Sequence, residues 1–262
     1  MAAEVTSAAV THVGLRRESN EDAFCRRPDL GLYVVTDGMG GHEAGEVASG
    51  MTVDVIESFI NDTLAADINQ TWPFPFDTTR SFEANRLMAA FRLANRRVAS
   101  AIAGNAAYKG MATTAAAALV GANGLAHIAH VGDSRVYLLR DQKLQQLTDD
   151  HSWVGEQVRA GLLTDSDAHS HPWRNVVTRA ITGAEDPEVD VTTVTLQSGE
   201  MLLICSDGLS SVVDQAKIEA LLTRAGAGPQ DLDALAAGLI DAANTGGGPD
   251  NITIVLVQMH DR

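Results

Sequence analysis

Hydrophobic and polar positions along the chain predict a fold that consists mainly of short strands. Three opening strands are predicted at Ala8–Gly14, Asp22–Arg26 and Leu32–Thr36, where apolar or alternating runs end at polar turns. The same pattern predicts further strands at Thr113–Val120, Leu125–Val131, Val136–Arg140, Lys143–Thr148, Val189–Leu196, Met201–Cys205 and Ile252–Met259. Tight turns such as Asn123-Gly124 and Asp141-Gln142 separate neighbouring strands, which favours antiparallel pairing.

Apolar residues recur at helical spacing in two segments that precede the middle strands. The first stripe consists of Val47, Met51, Val55, Phe59 and Ile60, and the second of Ala84, Leu87, Phe91, Ala94, Val98 and Ala101. A third amphipathic helix is predicted at Asp231–Ala243. The segment Asn69–Asp77 forms a loop between the first two helices, because prolines lack an N–H and break regular structure. We expect the aromatic rings of Trp72-Pro73-Phe74-Pro75-Phe76 to fold back onto the helices, with an exposed docking tip as the alternative.

This order of elements predicts an α+β fold in which two packed antiparallel sheets carry helices on their outer faces. With 262 residues, of which 45% are hydrophobic, the chain can fill the core of one domain that spans residues 1–262. Residues 152–174 interrupt the strands with a short helical pattern around Val154–Leu162 and a polar tract that has no apolar periodicity. We expect this segment to be a mobile excursion.

Composition narrows the possible classes of function. A formal net charge of −15, without a cluster of Lys and Arg, disfavours a nucleic-acid partner and fits the binding of cations. No apolar run is long enough to cross a membrane, and Met1–Val10 lacks the pattern of a signal peptide, so the predicted location is the cytoplasm. Cys25 and Cys205 lie singly inside apolar runs, which indicates reduced core thiols rather than a disulfide or a zinc site.

Acidic residues mark the ends of several predicted strands. Asp37, Asp133 and Asp207 each close an apolar run, Asp250 precedes the last one, and Glu21 and Asp22 open an early one. Carboxylates that are brought together must bind cations or protons, because like charges oppose one another's ionisation. Oxygen ligands alone suit Mg²⁺ or Mn²⁺, and Gly38 lets the backbone come close enough to offer its carbonyl. For each acid singly the alternative is a turn residue, because Asp before Gly is common in turns.

One arginine adds a possible phosphate ligand to this predicted metal centre. Two metal ions about 3.5–4 Å apart can clamp the oxygens of an in-line displacement at phosphorus. Arg17 lies in the turn just before the first acids, and its planar guanidinium can bind two phosphate oxygens at once. A solvated surface charge is the alternative for this residue.

Several other catalytic patterns are absent. The glycines that follow Asp37 do not have dinucleotide-binding spacing, and no Gly-Lys-Ser/Thr of a P-loop occurs. Neither cysteine is followed by the Cys-x₅-Arg spacing of a thiol phosphatase, and Gly-x-Ser-x-Gly is missing.

Seven short motifs, in order, carry a resemblance to a known family. They are Arg17-Glu18-Ser19-Asn20-Glu21-Asp22, Val35-Thr36-Asp37-Gly38-Met39-Gly40-Gly41-His42, Gly110-Met111-Ala112-Thr113-Thr114, Val131-Gly132-Asp133-Ser134-Arg135, Leu147-Thr148-Asp149-Asp150-His151-Ser152, Ser206-Asp207-Gly208-Leu209 and Asp250-Asn251-Ile252-Thr253. With these motifs the chain resembles the PP2C-type (PPM family) metal-dependent serine/threonine protein phosphatases, in particular their compact bacterial members.

The resemblance implies a four-layer α/β/β/α sandwich with a flap at about residues 152–174. It also implies hydrolysis of phosphoserine and phosphothreonine by direct attack of a metal-bridging water, without a phosphoenzyme. Two core ions, Mn²⁺ or Mg²⁺, and a third weaker ion are expected. By position, the implied ligands are Asp37 as the bridge, Gly38, Asp207 and Asp250 at the first ion, Glu21 and Asp22 at the second, and Asp133 with Asp207 at the third.

The chain departs from the family pattern at two positions. Many eukaryotic relatives have a histidine two residues after the bridging aspartate as general acid, whereas this chain has Met39. His42 is the nearest substitute, because an imidazole with a pKa of about 6.5 can donate a proton to the leaving group, and a structural role is the equal alternative. Ala112 stands where glycine is usual, a change that we expect to be tolerated.

The implied partners are phosphoserine and phosphothreonine proteins, a Hanks-type kinase and the substrates of that kinase. A monomer is expected, with neither nucleic acid nor membrane as a partner. The alternative from another class is a catalytically silent domain that binds phosphoproteins, and the complete set of acids argues against it.

Overall fold

A computed structural model describes residues 4–40, 44–65, 72–223 and 231–260, and two antiparallel sheets form its centre. The first sheet has the strand order β1 (Glu4–His12), β11 (Ile252–His260), β10 (Met201–Cys205), β7 (Arg135–Arg140) and β8 (Lys143–Gln146). The second has the order β2 (Asp22–Arg27), β3 (Leu32–Met39), β5 (Ala115–Val120), β6 (Leu125–Val131) and β9 (Asp190–Thr195), with the short β4 (Ala112–Thr113) paired to the end of β3.

Four longer helices cover the outer faces of these sheets. They are α1 (Ala44–Asp62), α2 (Phe82–Gly104), α6 (Gln215–Thr223) and α7 (Leu232–Thr245). Shorter elements are α3 (Trp153–Arg159), α4 (Asp165–Ser170), α5 (Asp207–Ser210) and a single 3₁₀ turn at Ala106–Tyr108. Ser81 and Asp231 cap α2 and α7, because each side chain accepts the N–H three residues ahead.

Three apolar clusters give the fold its layers. Ile56 and Phe91 pack α1 and α2 against the second sheet, whereas Leu239 packs α7 against the first sheet. Tyr33 and Ile204 belong to the cluster between the two sheets. Each fully buried large apolar side chain contributes about 1.5–3 kcal/mol. The layer order is therefore α/β/β/α, and the predicted fold class is confirmed.

The aromatic loop between α1 and α2 folds back onto the helices, as predicted. Trp72 makes edge-to-face contacts with Phe59 of α1 and Phe82 of α2, at ring-centroid distances of 6.0 and 5.1 Å. Phe74 is buried beneath the guanidinium of Arg96, which lies 4.0 Å from the ring centroid. These contacts favour a packing role over an exposed docking tip.

Several predicted boundaries were wrong. Strand β1 begins at Glu4 rather than Ala8, because its first residues pair with the end of β11. Strand β3 does not stop at Asp37 but continues to Met39, since β4 pairs with its last two residues. The predicted strand at Thr113–Val120 is interrupted at Thr114, and the one at Lys143–Thr148 ends at Gln146.

Helices α4, α5 and α6 were not predicted. Helix α6 buries only Ile218 and Leu222, a single i, i+4 pair that gives too little periodicity to recognise. The polar tract in residues 152–174 contains α4. A capping box between Thr164 and Asp167 stabilises the start of this helix. The mobility of that segment remains a prediction.

The remaining expectations from composition concern cysteines and membranes. Cys25 and Cys205 are both free and buried, as predicted. Among the described residues, no helix combines the length and apolar character that crossing a membrane requires.

Candidate active site

Five of the six predicted acids come from separate parts of the chain and converge at one end of the sheets. Asp22 opens β2 and lies directly opposite Asp37 of β3 in the strand register. Asp133 follows β6, Asp207 is the first residue of α5, and Asp250 lies two residues before the start of β11. The negative charges of the other four act on the pKa of Asp37, so the structure brings all five carboxyl groups together.

Burial and mutual repulsion raise the pKa values of these carboxyl groups. Desolvation is the main cause throughout, and it raises the pKa of Asp22 to about 7, that of Asp133 to about 8 and that of Asp207 to about 6. The pKa of Asp37 lies well above its usual range, because neighbouring acids add to the effect of desolvation. The pocket therefore has to take up protons or a cation near neutral pH.

Two of the carboxylates keep an oxygen without a hydrogen-bond partner. Oδ1 of Asp22 and Oδ1 of Asp207 are buried and unpaired, whereas Oδ2 of Asp22 accepts a bond of 2.8 Å from the hydroxyl of Ser206. Buried polar atoms normally have partners, so unpaired carboxylate oxygens in an acidic pocket indicate an ion as the missing partner. An all-oxygen donor set fits Mn²⁺ or Mg²⁺.

Glycines bring backbone and carboxylate groups close together beside the acids. A Cβ at Gly38 would clash with the carbonyl oxygens of Gly45 and Glu21, and the N–H of Gly38 donates to the Glu21 carbonyl at 3.1 Å. A Cβ at Gly45 would clash with Oε2 of Glu21. The Glu21 carboxylate thus lies against the start of α1, and desolvation raises its pKa.

Arg17 lies at the rim of the acidic pocket. Its guanidinium donates to Oδ2 of Asp250 at 2.8 Å, while about half of its side chain remains exposed. Its positive charge also lowers the pKa values of Glu21 and Asp207. The residue can therefore reach a bound anion while it stays tethered to the acids.

Asn251 fixes the turn that carries Arg17, a role that was not predicted. Its Oδ1 accepts the N–H of Glu21 at 2.8 Å, and its Nδ2 donates to the carbonyls of Val13 and Ser19 at 3.0 and 2.9 Å. Its position next to an acid was the only signal in the sequence.

Threonine and serine hydroxyls hold the backbone of Asp37. The hydroxyl of Thr114 accepts the N–H of Asp37 at 3.1 Å, and the Thr113 hydroxyl donates to its carbonyl at 2.9 Å. Thr114 also shares a hydrogen bond of 2.7 Å with Ser134, the residue after Asp133. One small network therefore joins the supports of two pocket acids.

Of the predicted site residues, His42 lies outside the described residues. The structure places Arg17, Glu21, Asp22, Asp37, Gly38, Asp133, Asp207 and Asp250 around the one pocket. The predicted description of Asp37 as the end of a strand was wrong, since β3 runs past it.

A second cluster of titratable groups, which was not predicted, lies beside the acidic pocket. Side-chain ligand atoms of His130, His151 and Asp190 lie within 4.8 Å of one another. The two imidazoles stack at a centroid distance of 4.5 Å, and burial lowers both of their pKa values. Nearby, Arg135 makes a bidentate pair with Asp150 at 2.8 and 2.6 Å, and its charge lowers the pKa values of Asp133 and Asp207.

The pocket has the carboxylate donor set of a candidate site for divalent ions, and comparison with known proteins gives the family. The Protein phosphatase 2C family profile matches residues 15–237. The serine/threonine phosphatase stp of Listeria innocua is 36% identical over 254 residues, which are 95% of this chain and 93% of that protein. Protein phosphatase PhpP of Streptococcus pneumoniae is 34% identical over 255 residues, 96% of each chain.

Solved structures agree with the sequence comparisons. The crystal structure of the Mycobacterium tuberculosis serine/threonine phosphatase PstP/Ppp matches with a TM-score of 0.84 and 35% identity, over 98% of this chain and 99% of that one. The catalytic domain of PstP in complex with two manganese ions matches with a TM-score of 0.81 and 33% identity, over 99% and 100% of the two chains.

The chain belongs to the protein phosphatase 2C (PPM) family. It is an enzyme, a serine/threonine protein phosphatase of the bacterial type. The alternative of a catalytically silent domain is set aside, and phosphatases of this family bind Mn²⁺, as the PstP complex illustrates.

Proposed function

We propose that the acidic pocket hydrolyses phosphoserine and phosphothreonine in proteins with two core divalent ions and a third weaker one, Mn²⁺ or Mg²⁺. Asp37 is proposed to serve both core ions, with Gly38, Asp207 and Asp250 at the first and Glu21 and Asp22 at the second. Asp133 and Asp207 are proposed to hold the third. When bound, the ions supply charge neutralisation at the phosphoryl oxygens and a water that is activated for attack on phosphorus.

Within this proposal Arg17 binds and orients the phosphoryl group. Its guanidinium is half exposed at the rim, where a contact to Asp250 at 2.8 Å restrains it. A planar fork that is held at one edge can offer its other N–H groups to two phosphate oxygens. The positive charge of Arg17 thereby attracts the negatively charged phosphoryl group to the pocket, although the net charge of the chain is strongly negative.

His42 is proposed as the general acid that protonates the leaving serine or threonine oxygen. An alkoxide is a poor leaving group, so proton transfer to it lowers the barrier, and an imidazole near its ordinary pKa can hold that proton at neutral pH. Met39, which stands where eukaryotic relatives carry their histidine, cannot donate a proton.

The observation that carries the proposal is the pair of buried, unpaired oxygens on Asp22 and Asp207 inside a cluster of five carboxylates. The test is phosphate release from a phosphothreonine peptide by the purified protein with Mn²⁺, with Mg²⁺ and with EDTA. We expect turnover with either ion, none after chelation, and recovery when the ion returns. Turnover that persists in EDTA, with metal content verified as negligible, would contradict the proposal.

The proposed partners are phosphoproteins of a Hanks-type kinase pathway, including the kinase itself. The serine/threonine specificity is supported by the stp of Listeria innocua, which is named a serine/threonine phosphatase and is matched over 93% of its length, whereas the pairing with a Hanks-type kinase rests on the family resemblance. Cytoplasmic location and a monomeric state remain predictions. Phosphoproteomics of a deletion strain should show Ser and Thr sites, but not Tyr sites, with raised occupancy.

A further inference from the structure

His151 connects the turn that carries Asp133 with the base of the flap, which we define as residues 152–174. His151 is almost fully buried directly before this segment. Its backbone N–H donates to the Gly132 carbonyl at 3.0 Å, and its ring Nδ1 accepts the Gly132 N–H at 3.1 Å. Both backbone polar groups of Gly132 are therefore paired with one residue.

The same residue also holds the far end of the flap. The carbonyl of His151 accepts the N–H of Thr178 at 2.8 Å, and the Trp153 N–H donates to the Val176 carbonyl at 2.8 Å. An isolated bridge pairs Ser152 with Val177. The chain thus enters and leaves the flap next to His151.

Gly132 can orient Asp133 because His151 holds both of its backbone polar groups, in a conformation and a space that suit glycine. Its φ is +109°, a conformation that side chains disfavour, and a Cβ there would clash with Thr114. Gly132 also directly precedes Asp133, whose pKa is raised by the nearby charge of Asp207. Any shift of His151 would therefore change the peptide that leads into Asp133.

The hydrogen bonds of the His151 ring determine its tautomer. The Gly132 N–H can only donate, so Nδ1 carries the lone pair and Nε2 carries the proton. That Nε2–H donates to Oδ2 of Asp190 at 3.0 Å. The stacked His130 donates its Nε2–H to the Asp149 carbonyl at 2.8 Å, which holds the segment that leads to His151.

A metal ion between His130, His151 and Asp190 is the competing interpretation of this cluster. An ion on Nε2 of His151 would require the ring proton to move to Nδ1, where it would face the Gly132 N–H. Two donors would then oppose each other in a buried site, at a cost of about 1–3 kcal/mol. The hydrogen-bond pattern therefore favours a ring that positions the backbone over one that binds a metal.

We propose that His151 is a positioning residue that couples the flap to the Asp133 carboxylate. The proposal rests on the proposed role of Asp133 as a ligand of the third ion. Movement at the flap base is transmitted through the two Gly132 hydrogen bonds, so contacts that a phosphoprotein makes with the flap alter the orientation of Asp133.

Two variants of similar size test the hydrogen bonds of the two ring nitrogens of His151 individually. In His151→Asn the amide oxygen can occupy the place of Nδ1 and accept the Gly132 N–H. In His151→Gln the amide nitrogen reaches the place of Nε2 and can donate to Asp190, while the acceptor for Gly132 is lost. Thermal denaturation of both variants verifies that they fold, and both keep a polar side chain of similar size in place of the buried ring.

The first readout is amide hydrogen exchange in the metal-free protein. We expect His151→Gln to lower the protection of the Gly132 and Thr178 amides together by about tenfold, the size of one lost hydrogen bond. His151→Asn should stay within about twofold of wild type, because it conserves that bond. Wild-type protection of Gly132 in His151→Gln, or a change at Gly132 without a change at Thr178, would overturn the coupling.

The second readout is Mn²⁺ binding by electron paramagnetic resonance, with Asp133→Asn as the reference. We expect Asp133→Asn and His151→Gln to weaken the weakest ion about tenfold, and His151→Asn to leave it within about twofold. If Asp133→Asn binds Mn²⁺ like wild type, the proposed third site fails. Two outcomes would contradict the inference about His151 alone. In the first, Asp133→Asn weakens Mn²⁺ binding at the weakest site and His151→Gln does not. In the second, His151→Asn weakens this binding as much as His151→Gln does.

Discussion

The acidic pocket and the cluster of His130, His151 and Asp190 lie side by side, yet their buried polar atoms are satisfied in different ways. In the pocket, Oδ1 of Asp22 and Oδ1 of Asp207 have no hydrogen-bond partner. In the histidine cluster, both ring nitrogens of His151 are paired, one with Gly132 and one with Asp190. Both clusters bring metal-ligand residue types close together, but of the two, the pocket is the one with buried side-chain oxygens that have no hydrogen-bond partner.

On this difference we base the proposal that the pocket binds metal ions and that the histidine cluster is structural. A site built for an ion leaves lone pairs unused by the protein, because the ion is their partner. A cluster that positions backbone groups uses its lone pairs and protons within the chain. Burial raises the pKa values of the pocket acids and lowers those of the two histidines, because it disfavours the charged form in both clusters, so the unpaired oxygens and not the pKa values separate the two.

The largest expected difference in activity is between two variants that each remove one negative charge, one in the pocket and one in the histidine cluster. Asp207→Asn should lower kcat/KM on a phosphothreonine peptide by about 100-fold or more, since even indirect support of a metal is worth about 10–100-fold. Asp190→Asn should cost less than about threefold, because its amide oxygen can still accept the Nε2–H of His151. Steady-state assays at saturating Mn²⁺ check the pair. Equal losses in the two variants would remove the distinction between the clusters.

Replacement of His42 tests the proposed proton donor. His42→Ala should lower kcat on a phosphothreonine peptide by about 100-fold, the usual range of general acid catalysis, and on an aryl phosphate by much less. The reason is that an aryl oxide leaves without a proton. Parallel assays of the two substrates at one pH measure the ratio, and the same loss on both would assign His42 a structural role.

Replacement of Arg17 tests the phosphate contact at the rim of the pocket. Arg17→Lys keeps the charge and removes the planar fork, so kcat/KM should fall about tenfold, the size of one charge-assisted hydrogen bond. Arg16→Ala is the matched control, because it removes the adjacent exposed arginine. Kinetics with the peptide substrate check both variants. A larger loss in Arg16→Ala than in Arg17→Lys would refute the assignment.

The smallest effect is the pH dependence of stability in the metal-free protein. Folding raises the pKa of Asp22 to about 7 and that of Asp133 to about 8, so the unfolded chain binds fewer protons and stability falls as pH rises through these values. Between about pH 7.5 and 8.5 the histidines with lowered pKa values add almost nothing, because that range lies above the pKa of about 6.5 of an unfolded histidine and they are neutral in both states.

Thermal denaturation in EDTA over that pH range should therefore show a falling Tm, and saturating Mn²⁺ should remove the decline. Asp133→Asn should have a shallower decline, since it lacks one of the titrating groups. A Tm in EDTA that rises with pH over the same range would contradict the electrostatic description of the pocket.

The layers of the fold could be predicted well from the sequence, because the spacing of apolar residues in strands and helices reflects which face of each element is buried. It missed α6, whose burial rests on two residues, and it ended β3 too early, because pairing with β4 is a tertiary contact. The acids of the pocket could be predicted from their places beside apolar runs. The role of His151 could not, since its partners Gly132 and Asp190 are 19 and 39 residues away and no local pattern links them.

The most direct test of the central claim is anomalous X-ray diffraction from crystals of this protein grown with Mn²⁺. We expect manganese peaks in the pocket bordered by Asp22, Asp37, Asp207 and Asp250, and none between His130, His151 and Asp190. A manganese ion bound by the two histidines, or an acidic pocket without any peak at a concentration that supports turnover, would contradict it.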